Sequence, residues 1–152
     1  MKVRAATPAD IPALLALDRG APTAAHWSEA DYLRLFSEAG RVALVIEEDC
    51  VQGFIVGRDL GAEWEIENIV VASSAQRRGM GERMVRELLN LARNHGAQAV
   101  FLEVRESNRA ARALYSKSGF VEGGRRKSYY GNPEEDAILY KKIVTAGTPE
   151  SC

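Results

Sequence analysis

The apolar positions change period several times along the chain, and each change marks an element. Ile11, Leu14, Leu15 and Asp18 keep helical spacing. Before them, Thr7-Pro8-Ala9-Asp10 offers a capping hydroxyl, a proline for the first turn and an early carboxylate, and Gly20 stops the run. Ser28-Glu29-Ala30-Asp31 opens a second helix that Gly40 closes. The period then shortens: residues 42–47 and 51–56 are apolar, β-branched runs around the polar turn Glu48-Asp49, which predicts a hairpin. In residues 64–71, Trp64 and Ile66 first alternate with Glu65 and Glu67, and the pattern then becomes the solid run Ile69-Val70-Val71. This predicts a strand half exposed at its start and buried on both sides at its end, with a bulge near Glu67–Asn68.

Met84, Val85, Leu88, Leu89 and Ala92 form one helical stripe between Gly79 and His95, closed by Gly96. A strand over residues 99–104, a helix over 108–118 stopped by Gly119, and two final strands over 120–129 and 137–143 complete the pattern. The middle reads strand–helix–strand–helix with antiparallel strands on both sides. The predicted class is α+β: a mixed, mostly antiparallel sheet with a central parallel pair and helices on its faces.

Composition narrows the range of functions. At 152 residues and 16.7 kDa the chain predicts one domain over residues 1–144, followed by a flexible tail over 145–152. Twenty Lys and Arg against 21 Asp and Glu leave a net charge of −1, which excludes a strongly basic nucleic-acid coat. No apolar run approaches the roughly 20 residues needed to cross a bilayer, so no membrane is expected. Cys50 and Cys152 have no metal-ligand spacing and read as reduced thiols of a cytoplasmic protein without a metal.

The most informative segment is Gln76-Arg77-Arg78-Gly79-Met80-Gly81, between a buried strand and a long helix. Two glycines let a ligand approach the backbone closely. The helix start presents unpaired N–H groups and the positive end of its dipole, and two arginines add charge, which together suit a phosphate or diphosphate. The loop is not a Walker loop, because no Gly-Lys-Ser/Thr follows. It also lacks the three-glycine pattern of a dinucleotide fold.

Two side chains further on could run chemistry, and a third could touch a ligand. Val100, Leu102 and Val104 share one face of their strand, so Glu103 points the other way with Phe101 and Arg105. Glu103 is either a solvated carboxylate paired with Arg105 or a general base at the end of a parallel strand. Asn108 and Tyr115 lie two turns apart on one helix face, with the small Ala111 between them. Asn108 is either a helix cap or a ligand contact, and Tyr115 either a core aromatic or a proton donor. Trp27, Tyr32, Tyr129 and Tyr130 are core or surface aromatics, or the lining of a peptide groove. Arg125-Arg126-Lys127 reads as a solvated basic face rather than an RNA contact. No cysteine or serine stands in a convincing nucleophile setting.

The Gln/Arg-x-x-Gly-x-Gly loop, after a strand ending in Val-Val, resembles the coenzyme A loop of GNAT acetyltransferases. His26-Trp27-Ser28-Glu29, Leu102-Glu103-Val104-Arg105-x-Ser107-Asn108, Ala113-Leu114-Tyr115, Gly119-Phe120, Arg125-Arg126, Tyr129-Tyr130 and Glu135-Asp136-Ala137 extend the likeness. Together these are similar to the RimI-type alanine N-acetyltransferases, over nearly the whole chain. The resemblance implies a GNAT-like sheet and acetyl-CoA as co-substrate. It implies a protein N-terminus as acceptor, the N-terminal alanine of small-subunit ribosomal protein eighteen. It makes Glu103 the proton acceptor and Tyr115 the proton donor. It sets the pantetheine arm along the backbone of Ile69, Val70 and Val71, and the diphosphate on Arg77, Arg78, Gly79, Met80, Gly81 and Glu82, with Asn108 as a further coenzyme contact. Glu82 departs from what phosphates favour, although its backbone N–H can still donate. The rival readings are a GNAT acting on a small amine or lysine, and a non-catalytic acyl-CoA-binding module.

Overall fold

The computed structural model describes residues 1–22 and 24–145. Seven strands, β1 (Lys2–Ala5), β2 (Arg41–Glu48), β3 (Cys50–Asp59), β4 (Glu63–Val71), β5 (Ala99–Arg105), β6 (Val121–Tyr130) and β7 (Glu135–Ile143), form one sheet in the order β1-β2-β3-β4-β5-β7-β6. Every neighbouring pair is antiparallel except β4–β5, which is parallel. Helices α3 (Met80–Asn94) and α4 (Arg109–Lys117) cover one face, and α1 (Ile11–Gly20) and α2 (Glu29–Arg34) the other.

The two faces are filled unequally. On the α3 side the core runs from Leu44 and Ile46 of β2 across to Ile138 and Tyr140 of β7, and includes Met84, Val85, Leu88 and Tyr115 from the helices. On the α1 side the buried cluster draws only on Val45, Phe54, Val56 and Val70 of the sheet, from β2, β3 and β4. Hence α1 and α2 cover one half of that face, and the β5 side chains beside it border a cleft.

A bulge in β4 shapes that cleft. Val56 of β3 pairs with Asn68 and Gly57 pairs with Ile66, so Glu67 is the extra residue. The expected bulge is therefore present, and it swaps the faces of the strand. Trp64 and Ile66 point into the α3 core, whereas after the bulge Val70 belongs to the α1 cluster. The expectation of burial on both sides does not hold, because Ile69 and Val71 are only half-buried. The reason is a splay. The β4–β5 ladder has three pairs, Glu63 with Ala99, Trp64 with Val100 and Glu65 with Phe101, and then the strands part. Beyond Glu65, β4 has β3 on one side and no β5 pairing on the other.

Two other elements depart from the sequence pattern. The second helix ends at Arg34 instead of running to Gly40, because Phe36 and Ser37 donate to Leu33 and Arg34, three residues back, in tighter turns. Strand β1 is too short to show alternation. Its Arg4 donates to both carboxylate oxygens of Asp10 at 2.9 Å and to Glu47 at 2.9 Å, which ties the strand to the start of α1. The expected flexible tail, with Cys152, lies outside the described residues apart from its first one.

Candidate active site

Strand β5 places Glu103 as alternation requires. Val100, Leu102 and Val104 are buried in the α3 core, and Phe101, Glu103 and Arg105 face the cleft, half-buried. Glu103 keeps only 13% of its side chain exposed. Its partner is not Arg105. The Nε of Arg126, reaching over from β6, stands 2.8 Å from Glu103 Oε2 as an ion pair without hydrogen-bond alignment. Arg105 instead caps the β6–β7 turn, donating to the Gly131 and Pro133 carbonyls at 2.9 and 3.0 Å and to Glu135 at 3.2 Å. Its guanidinium also lies 4.5 Å from the Tyr130 ring centre. Two ladder pairs further along β5 than Glu103, Arg105 is nearer those turn carbonyls.

The cleft face is acidic. Burial first, and then the negative charges of Glu67 and Glu103, raise the Glu65 carboxyl above the usual carboxylate range. Glu67, the bulge residue, is paired at 2.8 Å with Arg41, which is itself only 12% exposed. Arg41 also bonds Glu38 at 2.9 Å and lies 5.6 Å from the Trp27 ring centre, joining the α1–α2 loop to the bulge. Among the described residues no group of three or more His, Cys, Asp or Glu side chains gathers as a metal site, so these carboxylates share a face without converging. Glu65, Glu67, Arg41 and Arg126 were not singled out for chemistry by the sequence. The alternation of Trp64-Glu65-Ile66-Glu67 was visible, but which face met a cleft was not.

Tyr115 lies on the other side of β5, buried against Phe120 and Tyr140. Burial lifts its phenol well above the ordinary tyrosine value, so it stays protonated at neutral pH. Tyr130 is pushed up to about 12, first by burial and next by the charge of Glu103, so it too keeps its proton close to that carboxylate. Tyr32 does not line a groove. It is fully buried, and its hydroxyl donates to Asp18. Asp18, fully buried as well, accepts the backbone N–H groups of His26 and Trp27 at 2.9 Å each. Asn68, beside the bulge, donates to the Tyr32 hydroxyl at 3.4 Å. One buried polar network thus fastens the α1–α2 loop to β4.

The loop before α3 has the backbone its glycines predict. Arg77 and Gly79 both take left-handed conformations, with φ of 66° and 77°. Arg83 N–H is the donor to Gly79 O at 3.0 Å, which leaves the earlier amides of the first turn free of helical bonds. Space at Gly81 is tight: a Cβ there would stand 3.2 Å from Leu114 Cδ2 of α4, so that leucine would have to shift to admit a side chain. The Met80 side chain is in the core, so only its amide faces outward chemistry. The misfit of Glu82 is relieved by Lys117 of α4 at 3.4 Å. Arg77 is exposed, and Arg78 pairs with Glu48. Asn108 caps α4, accepting Ala111 N–H at 3.1 Å through Oδ1, which leaves its NH₂ group for another partner. Cys50 is exposed at the first residue of β3, away from Glu103.

The sequence pattern of the acetyltransferase (GNAT) family matches residues 11–120. The chain belongs to the GNAT acetyltransferase family. This acetyltransferase is 33% identical over 132 residues to the ribosomal protein bS18-alanine N-acetyltransferase of Salmonella typhimurium, a match that covers 86% of this chain and 88% of the relative. Its fold superposes with a TM-score of 0.85 on the crystal structure of the ribosomal-protein-S18-alanine N-acetyltransferase from Escherichia coli, at 25% identity and over 99% and 98% of the two chains. The same TM-score of 0.85, at 28% identity, relates it to Ard1 from Thermoplasma volcanium, over 95% and 98% of the chains. No helix among the described residues is long and apolar enough to cross a membrane.

Proposed function

We propose that this acetyltransferase moves the acetyl group of acetyl-CoA onto the α-amine of a protein N-terminus in the cytoplasm. The first substrate to test is the N-terminal alanine of ribosomal protein bS18, the substrate in the names of its relatives from Salmonella typhimurium and Escherichia coli. The observation that carries the reading is the place of Glu103, a largely buried carboxylate on the open face of β5 next to the gap where β4 and β5 part.

The residues present fit the coenzyme. Past Glu65 the backbone of Ile69, Val70 and Val71 lacks β5 pairing on one side, and an extended pantetheine arm can bond there as an added strand would. Arg77, Arg78 and the amides of Gly79, Met80, Gly81 and Glu82 suit the diphosphate, and the free NH₂ of Asn108 suits a further contact. Bound acetyl-CoA supplies an activated thioester. Glu103 accepts the proton of the acceptor amine, directly or through a water. An α-amine has a pKa of about 8, so roughly a tenth is already free at pH 7 and a carboxylate is base enough, whereas a lysine side chain near 10.4 asks more. Tyr115 holds a proton on Oη for the leaving sulfur, since burial keeps the phenol neutral. No covalent acetyl-enzyme is needed, and much of the rate gain comes from alignment.

Two measurements check this. Mass spectrometry of a peptide panel should find acetyl groups on Ala-starting N-termini in preference to internal lysines, polyamines or aminoglycosides; the reverse preference would replace the substrate class. Tyr115→Phe should lower kcat about 100-fold, at the lower end of general-acid effects because so basic a phenol is a weak acid. Its calorimetric uptake of coenzyme A should stay near wild type, and unchanged kcat would remove Tyr115 from the mechanism.

A further inference from the structure

Arg41, Arg105 and Arg126 each form an ion pair on the cleft side of the sheet, and they are held very differently. Arg41 is nearly buried between Glu67, Glu38 and the Trp27 ring. Arg105 is fastened by two backbone carbonyls, Glu135 and the Tyr130 ring. Arg126 is 64% exposed, lies 5.2 Å from the Tyr129 ring centre, and has its charge against a single carboxylate, Glu103. That carboxylate oxygen, Oε2, is screened from solvent, with the Arg126 Nε 2.8 Å away.

We infer that Arg126 is a displaceable counter-ion of Glu103, and that an acceptor amine binds by taking the place of its guanidinium. The inference rests on Glu103 being the base that receives the acceptor's proton. A second cation brought to the same oxygen gains less than the first, because the two repel at that range, so an arriving ammonium weakens the hold on Arg126. The buried arginine cannot yield: Arg41 would leave Glu67 uncompensated in a nearly closed site, which is costly. Arg126 can leave at little cost, since its long side chain already lies mostly in water, where an ion pair is weak. The lateral neighbour of Arg126 on β7 is Ala137, and the residue opposite Leu139, which itself pairs with Glu103, is Gly124. In the resting protein Arg126 neutralises Glu103. When a peptide arrives, its ammonium takes over that charge and presents a proton to the same oxygen. Arg126 is thus a positioning residue that acts through Glu103 and sets how tightly the free N-terminus is held.

The test uses the full chain with saturating coenzyme A, which blocks turnover. Calorimetry compares an Ala-starting peptide having a free amine with the same peptide N-acetylated. In Arg126→Gln the free-amine peptide should bind about two- to fivefold tighter than in wild type, with the acetylated peptide unchanged, as the competing exposed cation is gone. Salt gives a second readout. Wild-type binding exchanges one cation for another and should vary little with added NaCl, whereas in Arg126→Gln it creates a new ion pair and should weaken as salt rises. Arg126→Lys should restore the wild-type salt response. In turnover with acetyl-CoA, the gain in kcat/KM should be carried by KM. Free-amine binding that weakens or stays level in Arg126→Gln would overturn the exchange while leaving the proposed reaction standing. If wild-type protein acetylates no peptide N-terminus, both readings fall together.

Discussion

Glu103→Gln is expected to slow acetyl transfer to an Ala-starting peptide about 10²- to 10³-fold at neutral pH, within the usual range for loss of a general base. The substitution keeps the side chain's size, so the packing of β5 against β7 should survive and thermal unfolding should stay close to wild type. What disappears is the one carboxylate that β5 turns toward the cleft, together with the partner of Arg126. Glu65 and Glu67 remain on that face, but Glu67 is already committed to Arg41. Glu65 sits on the last β4 residue still paired to β5, short of the gap. Thiol release from acetyl-CoA measures the rate, and calorimetry with coenzyme A checks that uptake is intact, because the residues proposed to hold the diphosphate lie at the start of α3. A variant with near wild-type turnover would show that Glu103 is not the base. A variant that fails to take up the coenzyme would show that it serves binding instead.

The largest loss of stability is expected from Asp18→Ala, about 3–5 kcal/mol. Asp18 is fully buried and accepts three donors: the His26 and Trp27 amides and the Tyr32 hydroxyl. Alanine leaves all three without their acceptor in a site otherwise lined by Leu14, Tyr32 and Phe54. For a chain of this length such a loss corresponds to a Tm lower by about 10 °C. Asp18→Asn should be less severe, since Oδ1 can still accept, but its NH₂ group must face a donor. Denaturant unfolding with an unchanged slope would report the stability term. The same network fastens the α1–α2 loop to the bulge through Tyr32 and Asn68, so KM for peptide should rise in Asp18→Asn before the fold is lost. A loss below about 1 kcal/mol would mean that the loop finds other partners.

Both predictions depend on positions that the amino-acid pattern located with unequal success. Local chemistry was legible: the helical stripe of α3, the glycines before it, and the direction of Glu103 follow from spacing and alternation alone. The bulge near Glu67 was suggested by the change from alternation to a solid run, whereas the two-sided burial read from the same change does not hold. Strand β1 was not, since four residues show no period. The early end of α2 was not, since the turns after Arg34 continue the same composition. Asp18 shared the spacing of the first helix's apolar stripe with no partner in view, and Tyr32 could be a core or surface aromatic or a groove wall. Their union in the core depends on a loop whose course no local pattern specifies.

The sequence by itself determined the class of fold, the glycine-led helix start with its free amides and the face on which Glu103 lies, because each is a matter of short-range geometry. Only the tertiary structure decided that β4 and β5 part after three pairs, and that α1 and α2 cover half of one sheet face. It alone decided that Arg126 rather than Arg105 meets Glu103. These depend on which strands become neighbours, and residues 103 and 126 meet only when β7 inserts between β5 and β6.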